Sequence, residues 1–406
     1  MRLGGAIAVG ILLASVAPQA CADPLVAHGV LDLRLTTLGN EPNWMDGGFG
    51  KLRWGGADSE LQLGGATLVL EAPFAPAWFA RGTVQAQADD GAALELLDAW
   101  VRWRPVSTGR WRHALKAGLM FPPVSLEHEG VGWTSPYTLT PSALNAWIGE
   151  EVRSTGVEWR VERRGDAGNL EFALTAFGGN DTTGELLATR GWALSDRVYG
   201  VGGTIRTPDP SARGAPPPRR FDPFVEIDHR VGVSGEATWR GAGGQRFTVL
   251  HYDNLADPSV ETHHGAHEVY AWRTRFTSVA WERRGARSTW IAQALHGDTE
   301  IRPSPFFRTR TDFWAAYALW ARTEGAWRPA ARVEWFGARQ WPDFLQPPGT
   351  EHGRALAFAL TWQPRAHWQL TGELVALHSA RGDRVLLGRD ERQSEAQLQL
   401  AWRWYF

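Results

Sequence analysis

The stretch Ala396-Gln397-Leu398-Gln399-Leu400-Ala401-Trp402-Arg403-Trp404-Tyr405-Phe406 alternates through its whole length. In an extended chain successive side chains point to opposite faces. Ala396, Leu398, Leu400, Trp402, Trp404 and Phe406 therefore share one face, and Gln397, Gln399, Arg403 and Tyr405 share the other. A helical period would scatter the same apolar residues around an axis. The segment reads as a β-strand with one greasy side, heavily aromatic toward its end, and one polar side.

The same two-residue period recurs along the chain. Leu31, Leu33 and Leu35 alternate with Asp32, Arg34 and Thr36; Leu97, Ala99, Val101 and Trp103 with Asp98, Trp100, Arg102 and Arg104. Val157, Trp159 and Val161 alternate with Glu158, Arg160 and Glu162, and Ala331, Val333 and Trp335 with Arg332 and Glu334. A soluble antiparallel sheet also alternates, hiding its apolar face in a core. Here residues of both charges recur on the polar face, as in a barrel whose interior holds water and whose outside meets lipid.

The rest of the composition agrees. With 23 tryptophans, a mean hydropathy of −0.30 and no apolar helix-length run beyond the N-terminal segment, helical spans are excluded. Abundant tryptophan in a polar chain fits aromatic girdles around an apolar band. Arg2, the apolar run Ile7 to Val16 and the small-x-small Ala20-Cys21-Ala22 read as an export signal cut before Asp23. This gives residues 1–22 as signal peptide and 23–406 as the mature domain. The mature chain then has no cysteine, so disulfides and thiolate chemistry are excluded. Lysine occurs only at Lys51 and Lys116, so arginine supplies nearly all 42 basic residues, and the net charge is −2. Nothing in that balance calls for nucleic acid. A final strand ending on phenylalanine resembles the assembly signal of bacterial outer-membrane barrels, which implies the barrel-assembly machinery, outer-membrane lipid and lipopolysaccharide as partners.

The expected fold is thus all-β: a transmembrane antiparallel barrel of about 16 strands. Tight links near 363–366, 324–326, 284–286 and 241–244 alternate with longer ones near 379–392, 340–352, 299–307 and 254–267. Short periplasmic turns and long outer loops put both termini on one side and make the count even. Residues 179 to 228 then form one long outer loop. The alternative, about 18 strands, pairs 198–207 with 219–228, but prolines 208, 210 and 216–218 between them cannot join a ladder.

The most individual segment, Gly118 to Gly156, joins the fifth and sixth strands and is expected to fold into the barrel. Pro122-Pro123 ends a strand, and Thr140-Pro141 reads as an N-cap and first helical residue before a short helix over Ser142 to Ile148. Glu127, Glu129, Glu150 and Glu151 are the candidate acidic side of a constriction, near Arg102 and Arg104. Further arginines assigned to the pore are Arg160, Arg273, Arg275, Arg308, Arg310 and Arg332. The run Gly118-Leu119-Met120-Phe121-Pro122-Pro123-Val124-Ser125-Leu126-Glu127, with Phe224-Val225-Glu226-Ile227-Asp228, resembles the phosphate-selective porin O/P-like family. That resemblance implies a homotrimeric porin passing small polar solutes, including anions such as phosphate. The family's arginine ladder and constriction lysines are matched only in part, because no lysine follows Lys116.

Two other classes also use β-rich chains of this kind. An outer-membrane barrel enzyme of phospholipase or protease type would use a pair such as His378-Ser379, but adjacent strand residues point to opposite faces. A periplasmic β-rich binding protein of propeller type would show a blade repeat of ~40 residues. The reading is a non-enzymatic channel without cofactor. His251, His263, His264 and His267 form a weak metal-ligand cluster at one outer loop.

Overall fold

The computed structural model describes residues 25–37, 41–55, 60–87, 94–207, 220–264, 267–341 and 349–406. The expected signal peptide lies outside them. Sixteen antiparallel strands close into one barrel. In chain order these are β1 (Val26–Thr36), β2 (Glu60–Ala75), β3 (Trp78–Ala86), β4 (Glu95–Trp103), β5 (Trp111–Met120), β6 (Ser154–Arg163), β7 (Gly168–Gly178) and β8 (Gly232–Gly241). They continue as β9 (Gln245–Asp253), β10 (Arg273–Arg284), β11 (Ser288–Ser304), β12 (Phe307–Arg322), β13 (Trp327–Trp341), β14 (Glu351–Arg365), β15 (Trp368–Arg381) and β16 (Arg392–Tyr405). Closure is made by β1 on β16, with Val30 opposite Tyr405 and Thr36 opposite Gln399.

Links at one end are short, for example 76–77, 242–244 and 366–367, and both described termini lie at this turn end. At the loop end run the long connections 121–153, 179–231 and 254–272. The connection expected near 299–307 is shorter than its sequence suggested. There β11 and β12 continue to Ser304 and Phe307, because alternation persists through Asp298, Thr299, Glu300 and Ile301. Residues 179–231 form a single loop-end connection, as the even count requires. The pairing weighed for 18 strands survives only as a stub, Ile205–Arg206 against Arg220–Phe221, separate from the barrel.

The outer face carries the apolar band. Trp402, Trp404 and Phe406 are 41, 44 and 48 % exposed on it, while Arg403 between them is 3 % exposed and points inward. Trp290 with Trp320, Trp327 with Trp362, and Trp362 with Trp368 meet around the turn-end rim at centroid distances of 6.3, 5.9 and 5.1 Å, tilted, stacked and edge-on respectively. Such amphipathic rings suit a girdle where apolar and polar surroundings meet.

The core lies inside the barrel. Segments 41–55, 137–153 and 180–200 are almost entirely buried, and 121–136 half-buried. They include α1 (Ala143–Glu151), buried at all nine positions, and the short α2 (Glu185–Thr189). Trp147 and Trp192 meet Phe276, Phe313 and Phe336 from the wall, joined by Leu52, Leu194, Leu250, Leu295, Val375 and Leu377. A uniformly water-lined interior, the sequence expectation, is therefore corrected for the loop-end half. Strand stretches there are apolar on both faces, as in Phe313-Trp314-Ala315-Ala316 and Leu374-Val375-Ala376-Leu377. That pattern belongs to strands buried on both sides.

Candidate functional site

The inward segment between β5 and β6 is held by buried charge. Ser142 caps α1, and its side chain accepts from the Asn145 N–H. Glu127 binds the other side of this cap, accepting from Ser142 Oγ at 2.8 Å and Asn145 Nδ2 at 2.9 Å. Three wall residues complete the seat. Arg332 donates to Glu127 at 2.9 Å and to the carbonyls of Thr140 and Pro141 at 2.7 and 3.0 Å. Glu334 accepts from the Ala143 N–H at 2.7 Å, and Glu373 from the Leu139 and Thr140 N–H groups at 2.6 and 2.9 Å. The cap is thus Ser142 rather than Thr140, and the helix ends at Glu151 rather than before Gly149. Its first free N–H groups have wall carboxylates to bind, and a carboxylate at a helix N-terminus also meets the favourable end of the dipole.

The C-terminal end of α1 is tied to the long connection. Glu150 takes a two-pronged bond from Arg190, at 2.9 and 2.7 Å. Glu151 accepts from Trp147 Nε1 at 2.6 Å, the Leu186 N–H at 2.9 Å and the Gly184 N–H at 3.1 Å. Burial, with some help from Glu150, pushes its carboxyl up to about 8, against the pull of these donors and of Arg190. Elsewhere Lys51 pairs with Glu351, Arg197 with Glu95, and Asp196 with Arg34 at 2.6 Å and Arg53 at 3.2 Å. Most of these groups are fully buried, and removing one partner would leave an uncompensated charge inside the barrel.

Beside β1, β2, β3 and β16 the inward segments touch the wall at points, Asp196 on Arg34, Thr140 on Gln399 and Val198 on Gln85. A cavity of about 40 Å³ remains between those strands and residues 128–141 and 196–198. Asp32, Gln85, Gln87, His128, Asp196 and Arg403 give it a polar lining, and Trp133 closes one side. Arg403 donates to Asp32 at 2.8 Å, and Arg34 binds the same carboxylate at 2.9 Å. Burial lowers the His128 imidazole to about 4, so at neutral pH it is an uncharged hydrogen-bonding group.

Glu127, Glu150 and Glu151 do enter the lumen, but they meet Arg332, Arg190 and backbone rather than Arg102 and Arg104. The reason is placement: α1 packs on β12 and β13, whereas Arg102 lies at the turn end of β4. Arg104 lies just past β4, exposed, where its N–H binds the Ala77 carbonyl. Glu129 pairs with Arg284, and Arg160 projects into the lumen among Glu158, Glu171 and Glu236. Arg273, Arg275, Arg308 and Arg310, expected in the pore, stand on the outer face and do not line it. Their buried neighbours Thr274, Phe276, Thr309 and Thr311 hold the inward positions, and a one-residue error of phase exchanges faces. These four pair with Asp253, Asp298, Glu300 and Asp312 at 2.7 to 3.7 Å. Of the candidate histidines, His251 faces outward, bonded to Thr277, and His263 sits on an exposed hairpin. The side chains of His264 and His267 lie outside the described residues. Among the described residues, carboxylate oxygens of Asp181, Glu226 and Asp228 come within 4.8 Å of one another. Backbone N–H groups of Ile227, Asp228 and Gly179 already bind that trio.

Sequence reasoning places Arg102 in the pore, but that it and three other inward arginines lack an ion-pair partner among the described residues is legible only in the folded barrel. In the turn-end half of the lumen Glu71, Asp98, Glu158, Glu162, Glu171, Glu236 and Glu282 each have a cation within ion-pair distance. Arg102, Arg240, Arg246 and Arg328 have no ion pair among the described residues, and Nε of Arg102, Arg246 and Arg328 is buried without an acceptor.

Solved structures share this architecture. A loop-deletion form of OmpT, an outer membrane protein of Vibrio cholerae, matches with a TM-score of 0.51 at 9% identity, covering 94% of this chain and 99% of that one. The anion-selective porin from Comamonas acidovorans matches at 0.50 and 9%, covering 94% and 99%. Salmonella typhi OmpF, in complex with daunomycin, matches at 0.51 and 10%, covering 94% and 97%. No protein-family model and no curated protein matches the sequence. At such identity the likeness concerns the fold.

Proposed function

We propose that this chain is a narrow outer-membrane channel for passive diffusion of small polar solutes, with a preference for anions. The charge balance in the turn-end half of the lumen carries the reading. Acids there are neutralised, while four inward arginines are not, and unpaired guanidinium groups in a confined aqueous space favour anions. The polar cavity beside β1 to β3 is the candidate narrowest passage for small anions. Phosphate is one such anion, in keeping with the O/P-like resemblance. The protein does no chemistry on what passes.

Both termini then face the periplasm, with the loops outside. The arginine and carboxylate belt on the outer face of β9 to β13, above the apolar band, is suited to the phosphates of lipopolysaccharide. Assembly as a homotrimer has a precedent in the trimer form of the Vibrio cholerae protein, which covers 94% of this chain at a TM-score of 0.51.

The test is a planar bilayer with refolded protein in a salt gradient. A reversal potential of the sign for anion flux is expected, moving toward zero when Arg102, Arg240, Arg246 and Arg328 are replaced together by glutamine. Cation preference in the unaltered protein, or no response to the four replacements, would sink the anion reading. A folded barrel without measurable current would sink the channel.

A further inference from the structure

Arg102 belongs to a cluster that the passage of inorganic ions does not require. It lies over the Phe79 ring at 5.1 Å from the centroid and 5.9 Å from that of Trp100. Lys116 Nζ approaches the same indole at 5.8 Å. The Phe79 and Trp100 rings are 5.7 Å apart and tilted by 35°. The register places these groups together on the inner wall, with Phe79 opposite Arg102 and Trp100 opposite Gly118. Gly118 holds φ +135°, and a Cβ there would lie 2.2 Å from the Ala99 carbonyl oxygen and 3.0 Å from Trp100 Cβ. Only glycine lets the β4 and β5 backbones approach so closely at that position.

The two cations differ. Lys116 has a carboxylate, Glu158 at 3.4 Å. Arg102 has none among the described residues; the one acid in electrostatic reach, Glu71, is taken by Arg81 at 3.8 Å. All four side chains are half-buried on the lumen side, so each keeps part of its surface open. An aromatic floor beside a guanidinium fork with no counter-charge can satisfy both halves of one kind of molecule. The fork takes a carboxylate in two parallel hydrogen bonds, and the rings take a flat apolar body.

We propose that Trp100, Phe79 and Arg102 form a binding site for small organic anions with a planar apolar body, of the aromatic carboxylate class, in the turn-end vestibule. The site deepens the anion reading, since it rests on the lumen being open to water at that end. It does not depend on conduction, so binding and current are separable.

The experiment is equilibrium binding of benzoate to the folded barrel in micelles, with protein-free micelles as the blank. Benzamide, acetate and inorganic phosphate serve as comparisons. Benzamide keeps the ring and loses the charge, acetate keeps the charge and loses the ring, and phosphate tests whether any anion suffices. Benzoate should bind about tenfold or more tightly than each, the size expected for losing one charge-assisted hydrogen bond or one ring contact. Arg102→Gln should reduce benzoate to the level of benzamide, and Trp100→Leu should reduce it to that of acetate. Arg102→Lys, which keeps charge but loses the fork, should fall between. Each variant is first shown to be folded by its heat-dependent gel migration, and Arg102→Lys serves if Arg102→Gln does not fold. Benzoate binding no tighter than acetate or phosphate overturns the proposal, as does full benzoate binding in a folded Arg102 or Trp100 variant. A barrel that binds benzoate but carries no current would retain the site and refute the channel.

Discussion

Buried glutamates and arginines in the lumen act as locating pins. Glu151 shows the cost of this use. Its carboxyl has no exposed surface and lies beside Glu150, with Arg190 engaged mainly by Glu150. Its folded-state value, about 8, stands above the ordinary 4.5, so the protonated acid is the form that the fold prefers. The resulting stability is fully present below about 4.5 and is lost as pH rises through about 8. The barrel should therefore become easier to heat-denature across that range. Glu151→Gln imitates the protonated acid and should flatten the component due to this residue. Gel mobility after stepwise heating at several pH values measures it. An unchanged difference between acidic and alkaline pH in Glu151→Gln would show that other groups govern the dependence.

At the scale of elements, α1 is the keystone of the inner core. Its Trp147 ring meets Phe313 at 5.1 Å, Phe276 at 5.4 Å and Trp192 at 6.0 Å, all edge-on. The existence of this helix was legible in residues 140–148, and its inward course followed from the Pro-Pro stop and the position between β5 and β6. Its exact start was not, because Thr140 and Ser142 are equally good caps by type. The choice is made by Glu127, Glu334 and Glu373, two of which come from strands far along the chain. Phase errors of one residue likewise put four arginines on the wrong face of β10 and β12. Near the rim both faces are polar, so alternation there carries no information about inside and outside. Trp147→Ala should leave a cavity among three aromatic rings and cost roughly 3–5 kcal/mol of barrel stability. The expected result is a markedly lower heat-denaturation temperature with sheet content unchanged by circular dichroism. No drop would mean that α1 is not held by its aromatic contacts.

At the scale of the whole molecule, the barrel exists only when β1 meets β16, and that seam joins residues nearly the full chain apart. Its order was readable because alternation persists through both partners and parity constrains everything between them. Two layers of interaction close it. Inside, Asp32 of β1 is gripped by Arg34 and by Arg403 of β16. At the turn-end rim the Gly29 N–H donates to the Phe406 carbonyl at 2.9 Å, and the Phe406 N–H donates back at 3.2 Å. The Phe406 ring covers Gly29 so closely that a Cβ there would lie 2.6 Å from the ring and 2.3 Å from the Thr67 carbonyl oxygen. Trp404 supports the ring from 5.2 Å. Trp290 sits on the same girdle, about as exposed at 48 %, but on a pair of strands joined by a tight hairpin. If seam closure limits assembly, Phe406→Ala and Gly29→Val should each lower the folded barrel recovered from the outer membrane, whereas Trp290→Ala should not. A girdle ring merely contacting lipid would make Phe406→Ala and Trp290→Ala equivalent, and equal recovery of those two would refute a special role for the seam.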